Sequence, residues 1–154
     1  MIVASAIMIW NVMKLVLWTE SPVVVVLSGS MEPAMQRGDV LFLSKNDPIV
    51  NGDIIVYEIE GENIPIVHRV VTQQFNDKGE LQLLTKGDNN PVDDRGLYKH
   101  KMLYLNDKQV VGKVLGIMPY AGYLTILLND YPMLKFVVLG GMLISVLLQK
   151  DPNA

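Results

Sequence analysis

The sequence predicts a mainly β domain held between two apolar helical segments. Three observations lead there. From about residue 21 to 118, short β-rich runs follow one another, separated by turn dipeptides and with no long helical pattern between them. An apolar stretch precedes these runs and another follows them. The 154 residues suit one domain with a single core.

Residues 1–18 read MIVASAIMIWNVMKLVLW, with Lys14 as the one charge and Asn11 as the one amide. As a helix this stretch would be roughly 27 Å long, against about 30 Å for a bilayer core. Trp10 or Trp18 would suit the interface. No small-x-small cleavage site with a polar start follows Trp18, which counts against a cleaved signal. A membrane anchor is preferred to that, to a buried core helix and to a fragment of a longer span.

Val23 to Leu27 is a continuous apolar run, β-branched through Val26, and predicts a strand buried on both faces. Asp39 to Leu43 follows the turn signal Arg37-Gly38, and Asp53 to Ile59 follows Asn51-Gly52. Arg37-Gly38-Asp39 resembles an adhesion motif but reads better as a turn whose Asp opens the next strand. Ile64 to Phe75 is a long strand carrying His68, and Asn76 to Gly79 turns it into Glu80 to Thr85. Lys86 to Gly96 is a loop dense in Gly, Asp, Asn and Pro, and Gln109 to Met118 returns as a strand. In the tail, Leu134 to Leu148 is apolar, but its stretch from Phe136 is only about 20 Å long as a helix, too short to span comfortably.

Composition narrows the chemistry. There are no cysteines, which excludes disulfides, thiolate zinc sites, iron–sulfur clusters and a Cys nucleophile. Net charge is −3 and the 13 Lys+Arg are spread along the chain, so no basic patch invites nucleic acid. The histidines are His68 and His100, and a base that is neutral at pH 7 must be one of them or a depressed lysine. His100 lies in the polar stretch Tyr98-Lys99-His100-Lys101, which reads as exposed.

Ser28-Gly29-Ser30 follows directly on the Val run, where glycine lets backbone approach a ligand and successive N–H groups can face an oxyanion. His68 sits inside an apolar strand, a place where a satisfied structural histidine is the ordinary occupant. Asp88, Asp93 and Asp94 share one loop, where they fit turn chemistry, metal binding or the orienting of a histidine. The terminal Glu of a calcium loop is absent.

Each feature is common alone. In the order Ser, His, Asp, the stretches VVVVLSGSMEPAMQRGDVLFL, IPIVHRV and LLTKGDNNPVDDRGLY, with NDYP at 129–132, resemble the catalytic subunit of the ER-type signal peptidase I family across nearly the whole chain. The resemblance implies a signal-peptidase-type β domain over 20–130, a transmembrane anchor over 1–19 and a short apolar C-terminal helix over 131–150. Family members usually carry a longer, often basic leader, so on this resemblance the chain would open inside the span, with a truncated start, an alternative start and a short anchor all open.

The resemblance also implies roles. Ser30 matches the nucleophile, His68 the general base and Asp94 the residue orienting it. Asp88 falls in the same acidic box as a site-supporting residue and a rival for the orienting role. The Ser30 N–H would be the main oxyanion donor, with the Ser28 hydroxyl helping. The implied activity is serine endopeptidase cleavage of signal peptides from nascent secretory and membrane proteins. The implied setting is the ER membrane, single-pass, with the catalytic domain lumenal. Its partners would be preprotein signal peptides, other small membrane subunits of the complex and the bilayer. No metal or other cofactor is implied. Two other readings are weaker. A self-cleaving repressor-type protease would carry a basic DNA-binding region, which is missing, and a non-catalytic scaffold subunit would not need Ser30, His68, Asp88 and Asp94 together.

Overall fold

The structure, a computed structural model, describes residues 2–59, 61–62, 64–98 and 102–148. His100 lies outside them. The elements in order are helix α1 (Ile2–Leu17), strands β1 (Val23–Val25), β2 (Val40–Ser44), β3 (Ile54–Tyr57), β4 (Ile66–Phe75), β5 (Leu81–Lys86), β6 (Leu105–Asn106) and β7 (Val110–Met118), then helices α2 (Tyr123–Asp130) and α3 (Pro132–Leu148). Two 3₁₀ turns, Asp94–Gly96 and Asp107–Gln109, flank β6.

The strands form one antiparallel sheet in the order β1-β2-β7-β3-β4-β5-β6. Its central strand β3 explains why the run at 54–57 shows no polar alternation. Ile55 and Tyr57 point to one core, with Val70, Leu83, Leu84, Leu105 and Val110. Val56 points to a second core, with Val26, Met31, Met35, Leu41 and Leu43. A strand that feeds cores on both faces is apolar throughout.

The Val run behaves differently from its reading as a doubly buried strand. Only Val23–Val25 is strand, all three residues are half-buried, and β1 is the edge of the sheet. Val26 is buried and Leu27 exposed. A β-branched run reports strand propensity but not how many neighbours the strand has. Here β1 pairs only with β2 among the described residues, which leaves its outer edge open.

The turn into β2 ties the C-terminal helices to this edge. Asp39 is buried, accepting hydrogen bonds from Gln36 N (2.9 Å) and Tyr120 N (3.1 Å), which agrees with its reading as a turn residue. Gly38 has φ +100°, and a Cβ there would lie 2.5 Å from the Tyr123 ring. Gly38 O accepts Gly122 N at 2.8 Å, and Arg37 pairs with Asp130 at 2.9 Å.

Helix α3 is longer than the 13 apolar residues suggested, because it starts at Pro132. Proline's fixed φ suits a first helical position, while its ring keeps the preceding Tyr131 out of helical conformation. Helices α2 and α3 therefore meet at a bend of 109°. No single described helix is long and apolar enough to cross a membrane, although the bent pair meets the requirement by length and composition. Helix α1, at 16 residues, is about 24 Å long.

Candidate active site

Three adjacent strands and one turn bring the site together. On β4 side chains alternate, so His68 shares the face of Val70 and enters the first core, while Arg69 points away. His68 lies opposite Ile55 of β3, and its ring meets Tyr57 edge-on at 6.4 Å. The loop after β5 closes with Asp93, whose side chain accepts Arg95 N and caps the 3₁₀ turn. That turn delivers Asp94, 1% exposed, beneath the imidazole. Ser30 arrives from the other core. Its neighbour Met31 is buried with Met35, and Met35 N bonds Met31 O at 3.0 Å, which pins the turn that follows β1.

Ser30 Oγ lies 3.0 Å from His68 Nε2, and His68 Nδ1 lies 2.6 Å from Asp94 Oδ2. An ionised carboxylate only accepts, so Nδ1–H donates to Asp94 and Nε2 is left to accept from the Ser30 hydroxyl. Ser28 Oγ lies 3.2 Å from Ser30 Oγ. The structure thus brings Ser28, Ser30, His68 and Asp94 into one hydrogen-bonded group.

Asp88 is placed elsewhere. Its oxygens accept Arg69 Nε at 2.9 Å and Arg69 Nη2 at 2.7 Å, while Arg69 Nη1 donates to Gly52 O at 2.9 Å. That bidentate pair fixes the turn whose next residue holds the serine loop. Asn89 N donates to Ser30 O at 2.9 Å and Asn89 Nδ2 to Gly29 O at 3.1 Å. A Cβ on Gly87 would lie 2.7 Å from Ser30 O, so glycine lets this turn sit against the serine backbone.

Burial pushes the Asp94 carboxyl upward, but hydrogen bonds from His68, Thr85 and Tyr57 and the charge of His68 outweigh it, and the net shift is below the ordinary value. The Arg69 hydrogen bonds hold Asp88 below its ordinary value too. An unfolded Asp titrates at about 3.9. Between that and the lower folded value the unfolded chain binds more protons, so stability rises with pH. The Asp94 contribution is complete above about pH 5 and disappears as pH falls through the folded value. The melting temperature of the chain should therefore fall between about pH 5 and 3, and fall less in Asp94→Asn. Equal slopes in the two proteins would contradict this.

Some of the site was not visible in the sequence. Tyr57, Thr85, Tyr98, Arg69 and Asn89 all contribute polar contacts here, and none was singled out. A hydroxyl inside a β run carries no mark of whether it faces solvent or a buried carboxylate. Only Arg69, a charge beside His68 in an apolar strand, offered a usable signal. Among the described residues no three His, Asp or Glu side chains gather as a metal site.

A groove of about 440 Å³ runs past Ser30 and His68 between Val25–Leu27 and Ile64–Val67. Its walls are mostly branched apolar side chains.

The family model described as Peptidase S24-like matches residues 12–115, and the model described as signal peptidase C-terminal short helix matches residues 123–148. The signal peptidase complex catalytic subunit SEC11C of Homo sapiens is 53% identical over 153 residues, 98% of this chain and 80% of the relative. The signal peptidase complex catalytic subunit SEC11 of Debaryomyces hansenii is 50% identical over 153 residues, covering 98% of this chain and 92% of the relative. That of Scheffersomyces stipitis is 53% identical over 149 residues, 96% and 89%.

Proposed function

As the chain belongs to the family of signal peptidase complex catalytic subunits, we propose that it removes signal peptides from preproteins by Ser-His-Asp catalysis. The observation that carries this reading is the unbroken path from Ser30 Oγ through His68 to Asp94.

A serine hydroxyl is a weak nucleophile until a base takes its proton. Ser30 Oγ attacks the scissile carbonyl carbon as His68 Nε2 accepts the proton. The imidazolium so formed is stabilised by Asp94. His68 then gives that proton to the leaving amine nitrogen, and the acyl group remains on Ser30. Water repeats the sequence and releases the signal peptide's new C-terminus. The Ser30 N–H and the Ser28 hydroxyl are assigned to the developing oxyanion. The preprotein enters extended and pairs with the open edge of β1. Its small side chains fit the shallow apolar groove beside Val25 and Ile66.

Helices α1 and α3 present apolar side chains outward, among them Ile7, Ile9, Val12, Phe136, Leu139 and Leu143. We assign both helices to lipid, with residues 1–19 as a single-pass anchor, the domain over 20–130 on the lumenal side of the ER membrane and 131–150 as the C-terminal helix. Other small membrane subunits complete the complex.

The test is product mapping. Membranes depleted of their own catalytic subunit receive this chain and a signal-bearing preprotein, and the product's N-terminus is sequenced. The expected product begins directly after a small-x-small site. Unprocessed preprotein, or a cut elsewhere, would count against the assignment.

A further inference from the structure

Asp94 Oδ2 accepts two hydrogen bonds besides that of His68. Thr85 Oγ1 lies 2.6 Å away and Tyr57 OH 3.1 Å away. Thr85 has one hydroxyl proton, and a carboxylate can only accept it. The 2.8 Å contact between Thr85 Oγ1 and Tyr98 OH must therefore be donated by Tyr98. Tyr98 OH in turn accepts Thr85 N at 2.9 Å. Each proton then has one place: Tyr98 donates to Thr85, Thr85 and Tyr57 donate to Asp94, and His68 Nδ1 donates to the same oxygen. Tyr57 and Thr85 are both 0% exposed, so no solvent replaces a lost hydroxyl. Burial also pushes both phenols above their ordinary range, which keeps them protonated donors.

We propose that Thr85, backed by Tyr98 and joined by Tyr57, is a positioning residue that holds the Asp94 carboxylate against His68 Nδ1 and limits how much of its charge the imidazole feels. This rests on the triad reading. Hydrogen-bond chains of this kind polarise one another, so the set acts as one unit. Removing the Thr85 hydroxyl leaves a lone pair of Asp94 unsatisfied and frees the carboxylate to rotate. It also concentrates charge on the bond to His68, which favours the protonated imidazole. Other ionisable groups around this centre are Asp93 and Tyr98 about the 3₁₀ turn, Tyr57 on β3, and Lys86 with Asp88 at the end of β5, Asp88 being paired with Arg69.

The experiment compares Thr85→Val, nearly the same shape without the hydroxyl, with Thr85→Ser, which keeps it, in the membrane-embedded enzyme with a preprotein substrate. Thr85→Val is expected to lower kcat by about 10- to 100-fold with KM nearly unchanged. The acid limb of its kcat/KM profile should move up by about half a pH unit. Thr85→Ser should retain kcat within about threefold, with the wild-type profile. Wild-type kcat and profile in Thr85→Val would overturn the proposal. So would equal losses in both variants tracking a lower melting temperature, which would mean packing alone. Ser30→Ala runs alongside as a control: full activity there would overturn the triad reading itself, and this proposal with it.

Discussion

Asp94→Asn is expected to lower kcat by about 10⁴-fold, while Asp88→Asn leaves it within about tenfold of wild type. The two carboxylates lie in the same loop but meet different partners. Asp94 Oδ2 faces three donors at once, from His68, Thr85 and Tyr57. An amide in its place can only accept these bonds through its one oxygen, and where its NH₂ group stands there instead, a donor meets a donor unless the imidazole turns to the wrong tautomer. The negative charge that supports the imidazolium is lost as well. A 10⁴-fold effect corresponds to about 5.4 kcal/mol of transition-state stabilisation. Asp88 instead meets Arg69, whose side chain is 36% exposed, and exposed pairs of this kind contribute little. Its carboxylate acts through the backbone of the 87–90 turn, which keeps its other contacts to the serine loop when an amide replaces the carboxylate. Single-turnover cleavage of a preprotein measures both. A large loss in Asp88→Asn with little loss in Asp94→Asn would exchange the two roles.

His68→Gln is expected to reduce kcat still further, by about 10⁶-fold, with little change in substrate binding. Glutamine is chosen because His68 is buried and a smaller residue would open a cavity. The amide can hydrogen-bond Ser30 Oγ but cannot take its proton at neutral pH. The same single-turnover assay and a melting curve check the result. More than a tenth of wild-type kcat in a folded His68→Gln protein would show that another group activates the serine.

Much of this site could be read from the sequence, and the reasons are chemical. With no cysteine and two histidines, few residues were available as nucleophile and base, so the serine turn and the strand histidine stood out. The β strands were legible because turn dipeptides and β-branched runs alternate along the chain. The resemblance favoured Asp94, but the choice between Asp88 and Asp94 was not legible in the residues themselves. It depends on which carboxylate a capped 3₁₀ turn carries under the sheet and which one faces Arg69, and both are tertiary outcomes. The same holds for the edge position of β1, since strand order is set by pairing across long separations: β2 and β3 are each paired with β7. Strand β6 was missed because two residues carry no period. Helix α2 was missed because its apolar residues lie between two turn-rich segments, and α3 was read as short because its first turn carries a proline and a lysine.

The role of Ser30 is tested most directly by processing of a signal-bearing preprotein in membranes where this chain replaces the endogenous catalytic subunit, wild type against Ser30→Ala at matched expression. Ser30 is a half-buried residue of the turn after β1, and its replacement by alanine removes only the hydroxyl bonded to His68 and Ser28. The predicted result is processing by the wild type and none above background by Ser30→Ala. Equal processing by the two would mean that Ser30 is not the nucleophile.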